Sequence, residues 1–140
     1  MLTKHDHKFF AVARSVSRTS KHPKVRIGAT VVVDREVVAV GTNSDTKSHP
    51  LQKQYNEKYR NFVGACHHLR HAEFDALIKA KATFKDLTGA KIYIYREQKD
   101  GEIGMSRPCP SCMHFISDMH ISDIYYTSDT GLCYEEVEHG

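Results

Sequence analysis

Between Asp6 and Ser20, Phe9, Val12, Ala13 and Val16 recur at helical spacing, with Arg14, Ser17 and Arg18 on the remaining arc. That pattern predicts an amphipathic first helix, which Lys21-His22-Pro23 ends. The apolar run from Val25 to Val33 reads as a largely buried strand and Val37 to Gly41 as a second, joined through Asp34-Arg35-Glu36. A connection this tight makes the two an antiparallel hairpin, expected to pack on the first helix. From Thr42 to about Arg70 no period holds, and Pro50 and Gly64 interrupt the few apolar residues. Connections of that length are either functional or disordered, so this one is expected to face the substrate or a partner, with room for a short helix near Gln52 to Asn61.

Helical spacing resumes near His71, with Phe74, Leu77 and Ile78 on the apolar face and Lys81 on the solvated one, and stops at Thr88-Gly89. Ile92-Tyr93-Ile94-Tyr95 is a third strand, rich in side chains that suit a pleated surface. After the Asp100-Gly101 turn, Pro108 is placed to open a further helix reaching about Met119, because a first turn tolerates proline. A fourth strand is expected over Ile121 to Thr127, and the Ser128-Asp129-Thr130-Gly131 turn leads to a last one over Leu132 to Val137. A parallel crossover needs about a dozen residues or more, so the last two strands should form an antiparallel hairpin. The fold expected is α/β, a three-layer α/β/α sandwich on a mixed central sheet of about five strands.

With 140 residues and 40% hydrophobic content, the chain suits one domain over residues 1–140, with the substrate-facing loop at about 42–70. No segment has the length or apolarity of a membrane span, and the polar start Met1-Leu2-Thr3-Lys4 lacks the apolar stretch of a signal peptide, so a cytoplasmic protein without membrane contact is expected. The net charge of +3 names no partner, being weak beside the basic surfaces of dedicated nucleic-acid binders. Cysteines change the picture more. In a reducing compartment the close pair Cys109 and Cys112 suits metal ligation better than a disulfide, whereas Cys66 and Cys133 stand alone.

Hydrolytic removal of an aromatic amine needs a strong nucleophile, a proton carrier and an acceptor for charge at the ring nitrogen. Zinc lowers the pKa of a bound water from about 15.7 to about 7 when three protein ligands leave a fourth position open. His71, Cys109 and Cys112 supply such a set, and Glu73, two residues past the histidine, can face the open position as a proton carrier. A classical zinc finger built on Cys109 and Cys112 with His114 and His120 is rejected, because those histidines follow too closely. A zinc peptidase is excluded by the lack of His-Glu-x-x-His.

His71-Ala72-Glu73 followed by Pro108-Cys109-Pro110-Ser111-Cys112 resembles the signature of the cytidine deaminase superfamily. The order of elements is similar across most of the chain. The resemblance implies Zn2+ held by His71, Cys109 and Cys112, Glu73 as the catalytic proton shuttle, and substrate contacts at Asn43, Ala72 and Pro108. Backbone N–H groups near Ala72 and Cys109 would position the ring and the attacking water, and a homo-oligomer is expected. At Asn43 a sugar contact and a plain turn asparagine stand equal. Asp45 departs from the Asn-x-Glu of deaminases that take free nucleosides.

Around this core lie features with two readings each. Lys47, His49, Lys53, Lys58, Arg60 and Arg70 give the long connection a basic lean that suits phosphate or a solvated loop. Tyr55, Tyr59 and Phe62 could stack bases or anchor the connection. Cys66-His67-His68 raises a second zinc site, although adjacent side chains rarely converge on one ion, and Arg107 could face a phosphate or the surface. The clipped C-terminal hairpin resembles free-cytidine deaminases and some polynucleotide-acting relatives rather than deoxycytidylate and tRNA adenosine deaminases, while the Lys-Ser-His-Pro run resembles small bacteriophage deaminases. The first expectation is therefore cytosine-to-uracil conversion in a free (deoxy)cytidine or (deoxy)cytidylate. The alternatives are a cytosine or adenine deaminase acting on single-stranded DNA or tRNA, and a non-catalytic zinc-binding interaction domain.

Overall fold

The computed structural model describes residues 2–60 and 69–137. Its elements run α1 (Lys4–Ser17), β1 (Val25–Val33), β2 (Glu36–Thr42), α2 (Pro50–Tyr59), α3 (Ala72–Thr83), β3 (Lys91–Gln98), α4 (Pro110–Asp118), β4 (Asp123–Ser128) and β5 (Gly131–Glu136). The strands form one mixed sheet in the order β2-β1-β3-β4-β5. All neighbours pair antiparallel except β3 and β4, which are parallel. The expected sandwich, including its final hairpin, is what the chain forms.

Strand alternation sorts the core into two faces. Val31, Ile92, Ile94 and Ile124 point toward Phe74, Leu77, Phe115 and Ile116 of α3 and α4. Their neighbours Val32, Tyr93 and Tyr125 point the other way, toward Phe9, Phe10 and Ala13 of α1. Tyr93 and Tyr125 stack at 4.2 Å between ring centres. Each fully buried large side chain contributes about 1.5–3 kcal/mol, so both helical layers are held mainly by these contacts. Among the described residues no helix is long and apolar enough to cross a membrane.

Several boundaries differ from the expectation. α1 starts two residues earlier because Thr3 and Asp6 form a capping box, in which the Asp6 N–H donates to Thr3 Oγ1 and the Thr3 N–H to the Asp6 carboxylate. Pro108 does not open α4. Pro110 takes the first turn and Cys109 is the cap, so Pro108 lies buried just ahead of the helix. The connection after β2 holds α2, which opens at Pro50 rather than Gln52. Its buried residues are Gln52 and Asn56, a polar pair that leaves no apolar period to read.

Two glycines set how closely helices lie on the sheet. A Cβ at Gly28 would stand 2.4 Å from the Ala13 carbonyl oxygen and the Ser17 nitrogen of α1. One at Gly41 would stand 2.4 Å from the Ala76 nitrogen and 2.7 Å from the Ala72 carbonyl oxygen. The first turn of α3 thus rests directly on β2, and that contact fixes where His71 and Glu73 sit.

Candidate active site

His71 is the cap residue of α3 and Cys109 that of α4, both with extended backbone. A cap side chain ordinarily accepts a hydrogen bond from the first turn, yet neither of these does. They turn toward each other instead. His71 Nδ1 lies 3.6 Å from Cys109 Sγ and 3.3 Å from Cys112 Sγ, and all three potential ligand atoms lie within 4.8 Å of one another. Zinc bonded to nitrogen at about 2.1 Å and to sulfur at about 2.3 Å in a tetrahedron requires nitrogen–sulfur separations near 3.6 Å. The donor set fits that ion in spacing and in chemistry.

The surroundings hold these side chains in place. Ser106 Oγ donates to the Ile94 carbonyl, while the Ser106 N–H donates to the Thr127 carbonyl. This pins the segment ahead of Cys109 across the parallel strands β3 and β4. On the other side, the Arg70 guanidinium donates to the Thr42 carbonyl and pairs with Asp75 at 3.6 Å. Asp75 also accepts from the Thr42 N–H, so the residue before His71 is locked to the end of β2.

Electrostatics separate the two thiols. Hydrogen bonds from Cys112 and His71 outweigh burial at Cys109 and bring its thiol down to about 3. Burial, reinforced by the neighbouring Cys109 and Glu73, pushes the Cys112 thiol well up. Burial alone would lower the His71 imidazole, but the Cys109 and Glu73 charges leave it raised. A metal ion entering this set therefore displaces protons. Glu73 is 5% exposed, and burial raises its carboxyl above the usual range.

An open cleft of about 430 Å³ reaches this group, lined by His71, Glu73 and Cys109 together with Asn43, Arg60, Arg70, Arg96 and Arg107. Arg107 forms a two-pronged pair with Glu135. Arg96 donates to the Met105 carbonyl, its Nε is buried without a hydrogen-bond partner, and among the described residues no acid pairs with it.

Asn43 lines this cleft while its amide ties the start of β1, accepting from the Ile27 N–H and Ser20 Oγ and donating to the Val25 carbonyl. Ala72 is fully buried in the first turn of α3. Of the basic residues in the long connection, Arg60 and Arg70 reach the cleft, whereas His49 caps α2 and Lys53 pairs with Glu57. Tyr55 packs on Phe74 and Phe115, and Tyr59 stacks on His114 at 3.6 Å, so both anchor the connection. Phe62 and the Cys66-His67-His68 cluster lie outside the described residues. Sequence reasoning missed Arg96, inside a strand, and Gln52, inside a segment without period; neither sits in a motif.

A mixed sheet carrying, at the starts of two helices, a His–Cys–Cys group that could hold a metal ion and a buried glutamate is the arrangement that resembles zinc deaminases. The chain belongs to the family described as the cytidine and deoxycytidylate deaminase zinc-binding region, whose model matches residues 3–128. It is 27% identical over 130 residues to an uncharacterised deaminase in the luxG 3′ region of Aliivibrio fischeri, covering 93% of this chain and 77% of that one. Its fold is similar to the dCMP deaminase of cyanophage S-TIM5 in complex with dCMP and dUMP, with TM-score 0.64 and 19% identity over 91% of this chain and 84% of that one. It is also similar to cytidine deaminase from Mycobacterium leprae, with TM-score 0.52 and 15% identity over 89% and 88% of the two chains.

Proposed function

We propose that the chain is a zinc-dependent hydrolytic deaminase converting cytosine to uracil in a free nucleotide, cytidylate or deoxycytidylate. The observation that carries the choice of a phosphorylated substrate is the Arg96 guanidinium, which faces the cleft of His71 and Glu73 without an acidic partner among the described residues. Arg60, Arg70 and Arg107 line the same space, and guanidinium groups match phosphate oxygens in geometry as well as charge. The cyanophage relative's complex with dCMP and dUMP supports the same reading.

His71, Cys109 and Cys112 would hold the ion. When bound, zinc supplies Lewis acidity that makes water nucleophilic near neutral pH. Glu73 takes a proton from the attacking water, delivers it to the ring nitrogen beside the amino-bearing carbon, and passes a proton to the departing amine. Cytosine and water thereby become uracil and ammonia. The N–H groups at the start of α3, near Ala72, and at Cys109, beside Pro108, orient ring and water, while Asn43 offers a polar contact to the sugar.

A second reading has a specific observation behind it. Next to the cleft, sharing His22 with it, lies a depression lined by Lys21, Lys24, Arg26 and Lys99, which suits further phosphates of a single strand. Ammonia release from cytidine, deoxycytidine, their monophosphates, adenosine and single-stranded oligonucleotides separates the readings. The monophosphates are expected to turn over fastest. Preference for an oligonucleotide, with activity falling steeply with salt, would favour the strand. Tight binding of a protein partner by a zinc-loaded chain that turns over nothing would leave only an interaction domain.

A further inference from the structure

We infer that Gln52 is a positioning residue for the metal site and that α2 is the brace through which it acts. The inference rests on the reading of His71, Cys109 and Cys112 as zinc ligands. Gln52 has no solvent exposure, an unusual burial for an amide, and its neighbour one turn on, Asn56, is 1% exposed. Gln52 Oε1 accepts from the His71 backbone N–H at 3.1 Å, and Gln52 Nε2 donates to Asn56 Oδ1 at 2.9 Å. The second bond selects the orientation of the first: with Nε2 committed to Asn56, the oxygen is left facing His71.

The N–H that Gln52 receives precedes α3 and has no partner within the helix. A leucine at residue 52 would fill the space and strand that donor, costing about 1–3 kcal/mol. More is at stake than stability, because this peptide plane sets the direction of the His71 Cα–Cβ bond and thus where Nδ1 meets the two sulfurs. α2 grips the other ligand helix as well. The Tyr55 ring lies 5.2 Å from Phe115, its hydroxyl donates to Asp118, and Tyr59 stacks on His114, all three partners belonging to α4. One short helix therefore touches both helices that carry the ligands, meeting the start of α3 through Gln52 and the middle and end of α4 through its tyrosines.

Partners that orient a ligand commonly change metal affinity by about 10–100-fold when removed. Gln52→Met keeps length and volume but removes the acceptor, so zinc affinity in chelator competition is expected to fall by about 10–100-fold. Gln52→Glu, neutral in this fully buried place, keeps an acceptor oxygen for His71 and an O–H for Asn56 Oδ1, and is expected to remain within about threefold of wild type. Asp6→Asn, in the capping box of α1 on the opposite face of the sheet, serves as the control, lowering the unfolding temperature without moving zinc affinity.

Zinc binding by Gln52→Met as tight as wild type overturns the inference, and so does equal weakening by Gln52→Glu or Asp6→Asn. A wild-type chain that takes up no zinc overturns the underlying ligand assignment instead. If Gln52→Met does not fold, hydrogen exchange in the wild-type chain decides: a protected His71 amide supports the brace, and a freely exchanging one overturns it.

Discussion

His49 and His71 occupy the same position in two successive helices, immediately before the first turns of α2 and α3, and they use it in opposite ways. The His49 ring accepts from the Leu51 N–H at 3.0 Å and closes its helix. The His71 ring makes no capping bond and faces Cys109 and Cys112. A missing cap costs a helix about 1 kcal/mol, so the start of α3 forgoes stability while the His71 ring joins the His–Cys–Cys group that could hold a metal ion. The acidic residues Glu73 and Asp75 in its first turn offset part of that cost through the helix dipole. The bond from Gln52 shifts more of the support to a neighbouring helix. α1 shows the ordinary solution, a reciprocal box between Thr3 and Asp6.

The strongest way to break the contrast is to make His71 behave like a cap. Asparagine is among the best cap residues, so His71→Asn should abolish zinc uptake and turnover while stabilising the metal-free chain by about 1 kcal/mol. Metal analysis, beside denaturation in chelator, checks both halves. Gly41→Ala attacks the seat of α3: a Cβ 2.4 Å from the Ala76 nitrogen should cost about 1–3 kcal/mol in urea unfolding and lower zinc affinity with it.

At α1 the contribution is charge-dependent. Burial would raise the Asp6 carboxyl, but the Thr3 N–H, the Tyr93 hydroxyl at 2.6 Å and the Thr3 side chain together hold it below the usual carboxylate range. A depressed carboxyl contributes fully above its unfolded value and is lost as pH falls through the folded one. Asp6→Asn should therefore lower stability by about 1.5–3 kcal/mol at neutral pH, with the difference from wild type closing only below about pH 4. Thermal unfolding against pH reads this. Smallest, His49→Ala should cost α2 about 1 kcal/mol and leave zinc stoichiometry unchanged, the reverse of His71→Asn.

The same contrast explains what could be read before the structure. α3 carries Phe74 and Leu77 at apolar spacing and the His71-Ala72-Glu73 motif at its start, so its place and the meeting of His71 with Cys109 and Cys112 were both legible. α2 turns Gln52 and Asn56 inward, and hydrophobic periodicity cannot register a helix whose buried face is polar. The edges of β1 and the pairing of the final hairpin were legible because a continuous apolar run and a short turn leave local marks. Pro108 misled because a second proline two residues on competed for the first turn of α4. Arg96 was invisible for a different reason: its role depends on which strands flank β3, and pairing partners are not written locally.

In the proposed function, a zinc held by His71, Cys109 and Cys112 and a proton carried by Glu73 deaminate a cytosine nucleotide. Mass spectrometry of deoxycytidylate incubated with the zinc-loaded protein, beside zinc-loaded Glu73→Ala, tests it most directly. Conversion to deoxyuridylate with equimolar ammonia by the wild-type protein, reduced by about 10²-fold or more in the variant at unchanged zinc content, is the expected result. Equal turnover by both proteins, or none by the zinc-loaded wild type, would contradict it.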